Sequence, residues 1–383
     1  MACEPMNLVR DEFFRDPSQT LENRKHKQSK EALWMDGRIQ TDGNRAEFQK
    51  QRNALLELTK SCGKTKDLSK ALQVHNEILL AQFFPKDVYV GKALITMYVK
   101  CGALAKAREV FDKLPERDVV AWTALIGGYA KHGFGNEALD CFRRMRGEGL
   151  SPNEVTFICT LKACNVAGSL EMGEAIHNEA KNLGFLPSNV VLGTALVGMY
   201  AKFGVLSRAQ DVFDQLPARD VVSWNALISG YAQHGFGNEA LDCFRRMRDE
   251  GTSPNGVTFL SALKACSAIG CIDKGAEIHG DVKKMGLLDK DIMLGTAVVD
   301  MYAKCGMLQR AHEVFNELPT KDVVSWNALI SGYAQHGLGN KALACFKQMR
   351  DGGFAPSVVT FICVLNACGS IRSLEMGEEI HAE

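Results

Sequence analysis

Three tryptophans, Trp122, Trp224 and Trp326, stand 102 residues apart, and the text around them repeats almost letter for letter. The segment VVSWNALISGYAQHG occurs at 221–235 and 323–337, with a close variant from Val119, and FGNEALDCFRRMR occurs at 134–146 and 236–248. A long fixed period marks stacked supersecondary units that share one continuous core. The 383 residues are therefore read as an array rather than as two or three separate domains.

The period divides into three helix–turn–helix units of unequal length: 35 residues at 119–153, 36 at 154–189 and 31 at 190–220. The same division gives 221–255, 256–291, 292–322 and 323–357, and going backwards 88–118 and 52–87, with a partial unit at 358–383. Residues 1–51 repeat nothing. They are polar and mixed in charge, and are expected to be mostly disordered or loosely docked, with a possible helical turn at Phe13 and Phe14. Their acidic content does not suit an organelle transit peptide.

Each unit reads as two amphipathic helices. In 221–255 the residues Trp224, Leu227, Ile228 and Tyr231 form one apolar stripe at helical spacing. His234-Gly235 closes that helix, Asn238 is placed to cap the next, and Ala240, Leu241, Phe244 and Met247 form the second stripe. Shorter units end in Leu-Pro, as at Leu114-Pro115, Leu216-Pro217 and Leu318-Pro319. No run has strand periodicity. The expected fold is all-α: a hairpin cannot bury its stripe alone, so neighbours must stack into a solenoid.

Composition excludes more than it suggests. No run of 18 apolar residues is present to span a membrane, and the formal net charge of zero leaves no global field for a polyanion, so any such site must be local. The 13 cysteines follow the repeat (Cys62, Cys164, Cys266 and Cys368 are one position) and no Cys-x-x-Cys occurs, so they read as small buried residues. The histidines also follow it, at His75, His177, His279 and His381 and at His132, His234 and His336. His75-Asn-Glu77 resembles the His-x-Glu of zinc deaminases, but the Pro-Cys-x-x-Cys that such a site needs is missing. No metal, cofactor or catalytic residue is expected.

The unit lengths, the SWNALISGYAQHG and MYAKCG signatures, and the Leu-Pro and Ser-Pro-Asn ends resemble the pentatricopeptide repeat family. The 35/36/31 rotation resembles its plant-type subclass of P, L and S motifs. The resemblance covers 52–383 and implies a right-handed superhelix whose first helices line a concave groove. Each unit would hold one base of single-stranded RNA, read by its fifth and last residues.

Carried onto this sequence, the resemblance gives the reading pairs Lys92 with Asp118, Thr123 with Asn153, Thr194 with Asp220, Asn225 with Asn255, Thr296 with Asp322, and Asn327 with Ser357. The L-type units have Ile158, Leu260 and Ile362 at the fifth position, which cannot hydrogen-bond a base. The second position, which wedges between bases in the family, carries Tyr89, Val120, Val191, Val222, Met293 and Val324. Lys100, Lys131, Lys202 and Lys304 at the thirteenth would meet phosphates. Thr with Asn implies A, Thr with Asp implies G, and Asn with Asn or Ser implies C, so units 88–118 to 323–357 would read 5′-n-A-n-G-C-n-G-C-3′. The bland alternatives are that the fifth-position Asn caps a helix and that the lysines line a solvated face.

The function expected from the resemblance is non-catalytic, sequence-specific RNA binding in organellar RNA processing, in a mitochondrion or chloroplast, specifying sites of cytidine-to-uridine editing. The deaminase-like domain that often follows such arrays is not seen, so an editing deaminase or other factor acting in trans is the expected partner. The alternative is a protein-binding helical-repeat scaffold.

Overall fold

The computed structural model describes residues 42–381, and every regular element among them is an α-helix. The first helices of successive pairs are α1 (Asp42–Thr65), α3 (Val88–Lys100), α5 (Val119–Lys131), α7 (Glu154–Ala167), α9 (Val190–Lys202), α11 (Val221–Gln233), α13 (Gly256–Ile269), α15 (Ile292–Lys304), α17 (Val323–Gln335) and α19 (Val358–Ile371). Their second helices are α2 (Leu68–Leu80), α4 (Leu104–Asp112), α6 (Gly135–Gly147), α8 (Leu170–Asn182), α10 (Leu206–Asp214), α12 (Gly237–Asp249), α14 (Ile272–Lys284), α16 (Leu308–Glu317), α18 (Gly339–Asp351) and α20 (Leu374–His381).

One polar residue starts each first helix from α3 onward. Asp87, Asp118, Asn153, Asn189, Asp220, Asn255, Asp291, Asp322 and Ser357 each accept a first-turn backbone N–H through the side chain. Each such cap stabilises its helix by about 1 kcal/mol. The second helices differ. Asn238 does not cap α12: the cap position is Phe236, without a side-chain bond, and Asn238 already lies inside the helix. The tight Gly235 turn, at φ +84°, leads straight into the helix and leaves the asparagine past the cap position, in the first turn.

The short units lose their residues from the second helix. It has 9 residues in α4 and α10, against 13 in α6 and α12. The Leu-Pro that follows then folds inward. A Cβ on Gly193 would lie 2.4 Å from Cδ2 of Leu216, so the missing side chain of α9 is the seat of that leucine. Trp122 and Trp224 are fully buried and Trp326 nearly so. Their rings meet Phe111, Phe213 and Phe315 edge-on at 4.5, 4.6 and 4.5 Å, joining each short unit to the next.

The two layers pack unequally. Every first helix lies against the first helices before and after it, whereas no second helix among the described residues comes within 8 Å of another between Cα atoms. A bent double layer is continuous on its inner side and splayed on its outer side, so the first helices form the concave wall. Ion pairs bridge the outer gaps: Arg146 to Glu179 at 3.0 Å, Arg248 to Asp281 at 3.0 Å and Lys283 to Glu317 at 3.0 Å. Arg146 and Arg248 of the second helices are thus spent on neighbouring units, while Arg143 and Arg245 pair within their own helices with Asp140 and Asp242.

The repeated histidines and cysteines are structural. Nδ1 of His75, His177 and His279 pairs with the hydroxyl of Tyr98, Tyr200 and Tyr302 at 2.8, 2.9 and 3.2 Å. Burial pushes the Cys164 and Cys266 thiols up to about 12, which keeps them protonated. Among the described residues no group of three His, Cys, Asp or Glu side chains could hold a metal.

Residues 1–41, with Phe13 and Phe14, lie outside the described residues, as do 382 and 383. Among the described residues helix is already present from Asp42, upstream of the Arg52 boundary read from the repeat. Residues 42–51 are polar and share no repeat text, so periodicity did not reveal them. Phe48 accounts for the extension, because its ring lies 4.6 Å from that of Phe83.

Candidate nucleic-acid interface

At about 100° per residue, the second, fifth and thirteenth residues of a first helix fall within roughly one quarter of its circumference. All the first helices therefore turn these positions to the same wall. The second-position residues stand clear of it: Tyr89, Val120, Val191, Val222, Met293 and Val324 are all exposed. Val155, Val257 and Val359 of the 36-residue units extend the row, so nine apolar side chains, 52 to 70 % exposed, line the groove. Sequence reading omitted those three because it set the long units aside as unable to read a base.

The lysines at the far end of the same helices are all exposed. Two already have partners. Lys202 donates from Nζ to the Asn165 carbonyl at 2.7 Å, and Lys304 pairs with Asp300 at 2.8 Å. Each can release its partner to a phosphate at small cost, since exposed pairs contribute about 0–1 kcal/mol.

The fifth residue of one unit and its last residue meet where two first helices join. The last residue is also the N-cap of the following helix, so a single side chain both starts a helix and faces the groove. At the joint after 221–255, Asn225 Nδ2 donates to Asn255 Oδ1 at 3.1 Å, and Asn225 Oδ1 accepts from Thr258 Oγ1 at 2.6 Å. After 323–357 the pattern recurs: Asn327 Nδ2 donates to Ser357 Oγ at 3.2 Å, and its Oδ1 accepts from Thr360 Oγ1 at 2.7 Å. The fifth-position asparagines therefore do not cap their own helices. After 119–153, Thr123 Oγ1 donates to the Val119 carbonyl at 2.6 Å and lies 2.7 Å from Thr156 Oγ1. Asn153 caps with Oδ1 and keeps Nδ2 unbonded.

The joints after the short units are built otherwise. Asp220 and Asp322 cap through Oδ1, bonding the N–H of Ser223 and Ser325. The serine hydroxyls turn back to the cap backbone instead of reaching the preceding unit. Oγ1 of Thr194 and of Thr296 is left buried without a partner, and Thr296 as a whole is only 8 % exposed. The structure thus brings these threonines to the joint but covers their hydroxyls, which need a rotamer change to meet a ligand.

The joint after 88–118 is already closed. Lys92 Nζ and Asp118 Oδ2 form an ion pair, and the Asp118 cap bonds the Ala121 N–H through Oδ1. Burial acts to raise the Asp118 pKa, but the Lys92 ammonium and the Ala121 N–H outweigh it and hold the carboxyl below the usual range. Lys92 also lies 5.1 Å from the centre of the Tyr89 ring.

Comparison with known proteins gives the same grouping. The PPR repeat family matches residues 117–165, 219–268 and 321–370, and PPR repeats match 92–119 and 296–323. An Arabidopsis thaliana pentatricopeptide repeat-containing protein named as chloroplastic is 40% identical over 316 residues, covering 82% of this chain and 51% of its own length. A putative one named as mitochondrial is 38% identical over 324 residues, covering 84% and 51%. The chain therefore spans about half the length of these relatives. Among solved structures, pentatricopeptide repeat protein PPR10 in complex with an 18-nt psaJ RNA element superposes with a TM-score of 0.71 at 20% identity, over 82% of this chain and 47% of that one. The maize PPR10 crystal structure gives 0.66 at 19%, over 89% and 51%.

Proposed function

The chain belongs to the pentatricopeptide repeat family, and on that premise we propose that it is a non-catalytic array that binds single-stranded RNA one base per unit. The observation that carries this is the coincidence, along one wall, of an unbroken row of exposed apolar side chains with paired polar groups at the joints. Apolar wedges suit the faces of unstacked bases, and the polar pairs suit their edges. The RNA-bound structural neighbour supports the same reading.

The free valences at each joint give the preferences. Asn225 keeps one N–H and Asn255 two, so that pair offers donors only, which suits the adjacent N3 and O2 acceptors of cytosine. Thr123 keeps a lone pair and Asn153 its amide protons, which suits the N6 donor and N1 acceptor of adenine. Thr194 with Asp220, and Thr296 with Asp322, offer a carboxylate oxygen and, once the threonine rotamer turns its covered and unpartnered hydroxyl to the groove, a donor, which suits the N1–H and O6 of guanine. With units as divided above, the target is 5′-n-A-n-G-C-n-G-C-3′. The 35/36/31 rotation supports the P, L and S subclass, and with it a role in specifying cytidine-to-uridine editing in a mitochondrion or chloroplast, the deaminase or another factor acting in trans.

Selection of bound RNA from a random pool tests this. Thr194→Asn should move the fourth base from G toward a pyrimidine and leave the others alone. Unchanged selection there would show the register to be wrong. Binding that ignores both sequence and salt would favour a protein-binding scaffold instead.

A further inference from the structure

Three threonines in the wall touch the reading residues from behind. Thr156, Thr258 and Thr360 are the third residues of α7, α13 and α19, and all are fully buried. Each lies one unit after the side chain that it contacts: Thr123, Asn225 and Asn327. The equivalent residues of α5, α11 and α17 are Ala121, Ser223 and Ser325, which make no such contact; the two serines bond their own cap.

We propose that Thr156, Thr258 and Thr360 are positioning residues that fix the hydrogen-bond polarity of the reading side chain in the preceding unit. A hydroxyl has one proton. At Thr258 the contact to Asn225 Oδ1 is 2.6 Å, shorter than the 3.1 Å to Asn255 Oδ1, so the proton goes to Asn225. That donation engages Oδ1, the only acceptor atom of the Asn225 side chain, and with the bond to Asn255 it fixes the amide so that one N–H is left for a base. The thymine-like edge of uracil then meets a wall of donors: its N3–H faces an N–H. Cytosine, with a bare N3, does not. Without the hydroxyl only the 3.1 Å bond from Asn225 Nδ2 to Asn255 Oδ1 opposes a flip of the amide, and a uracil N3–H that donates to Oδ1 offsets the loss of that exposed bond. Discrimination between C and U therefore depends on a residue that no base reaches.

The same logic runs at the two sister joints. Thr360 donates to Asn327 Oδ1 at 2.7 Å and reproduces the donor-only pair. Thr123 has given its own proton to the Val119 carbonyl at 2.6 Å, and Thr156 Oγ1 lies nearer to Thr123 Oγ1, at 2.7 Å, than to Asn153 Oδ1, at 2.9 Å, so Thr123 takes the proton of Thr156 and shows a base only a lone pair. The joints after short units lack this device, and their threonine hydroxyls are left without a partner.

The inference rests on the RNA-binding reading, and one experiment separates the two. The 383-residue wild-type chain, Thr258→Val and Thr258→Ser are titrated with RNA octamers of the target sequence, varied singly at the fourth and at the fifth base. A mismatch that leaves one group unpaired costs about 1–3 kcal/mol, so wild type should prefer C over U by roughly 5- to 150-fold. Thr258→Val should bring that ratio to within about 2-fold while leaving the G preference at the fourth base intact, which lost helix capping alone could not do. Thr258→Ser should restore the ratio. A folded Thr258→Val that keeps the wild-type ratio overturns the proposal alone. Wild type without any base preference overturns the RNA reading and the proposal with it. Should Thr258→Val not fold, Thr360→Val with the eighth base varied gives the same test at a second joint.

Discussion

Lys92 and Asp118 are joined as an ion pair across the joint between α3 and α5, so the groups that would meet a base there are spent on each other. Replacing the lysine should free the carboxylate. Lys92→Thr recreates the Thr–Asp combination of the other short units, and the first position of the target should change from no preference to G. Binding selection with this variant reads the outcome directly.

The same pair has a pH signature. The Asp118 pKa is depressed in the folded protein, because Lys92 and the Ala121 N–H outweigh burial. A depressed carboxyl contributes stability above its unfolded value of about 3.9, and the contribution fades as pH falls through the folded value. The urea midpoint should thus drop less between pH 7 and pH 3 in Lys92→Met than in wild type. The carboxylate is 48% exposed, so solvent screening keeps the difference small.

Val222 is 58% exposed and tests the apolar row. Val222→Ala should lower RNA affinity severalfold for every sequence and leave base preferences as they were. Stability should stay within about 0.5 kcal/mol of wild type, as for other exposed substitutions away from caps and core. Parallel titration and thermal unfolding separate the two effects.

Salt should reveal the lysines. Four phosphate contacts at Lys100, Lys131, Lys202 and Lys304 give a slope near −3 for log K against log salt, at about −0.7 per contact on a single strand. Lys131→Ala should shallow it by about 0.7. Arg248→Ala, on the outer layer and paired with Glu277 and Asp281, should leave the slope unchanged.

The tryptophans are not equivalent. Trp122 Nε1 donates to Glu148 Oε2 at 3.1 Å, whereas at the next copy Glu250 turns to Arg219 at 3.0 Å and the Trp224 Nε1 is buried without a partner. Phenylalanine at 122 loses a hydrogen bond; at 224 it removes an unsatisfied donor. Trp122→Phe should therefore destabilise more than Trp224→Phe by about 1 kcal/mol, measured by urea unfolding.

The repeat text made the helix pairs and their order readable, since Trp224, Leu227, Ile228 and Tyr231 announce a helix face without help from anything distant. The second-position row came from the resemblance to the pentatricopeptide repeat family, and Val155, Val257 and Val359 were passed over. What stayed hidden was anything that depends on two units at once. Asn255 looks like a unit's last letter, yet it is also the first cap of the next helix. Thr258 looks like an ordinary first-turn threonine, and its bond to Asn225 spans 33 residues. Asn238 misled because a local preference for capping gave way to the tight turn at Gly235. Phe48 lay in text with no copy elsewhere to flag it.

The inner helices touch without interruption while the outer ones meet only through long charged side chains. Each joint can then hinge on its inner edge, with the give taken up outside. Small rotations summed over the array change its pitch while the buried faces stay in register. With the pivots at the inner wall, such rotations bend or straighten the array while the distance between neighbouring first helices stays nearly constant.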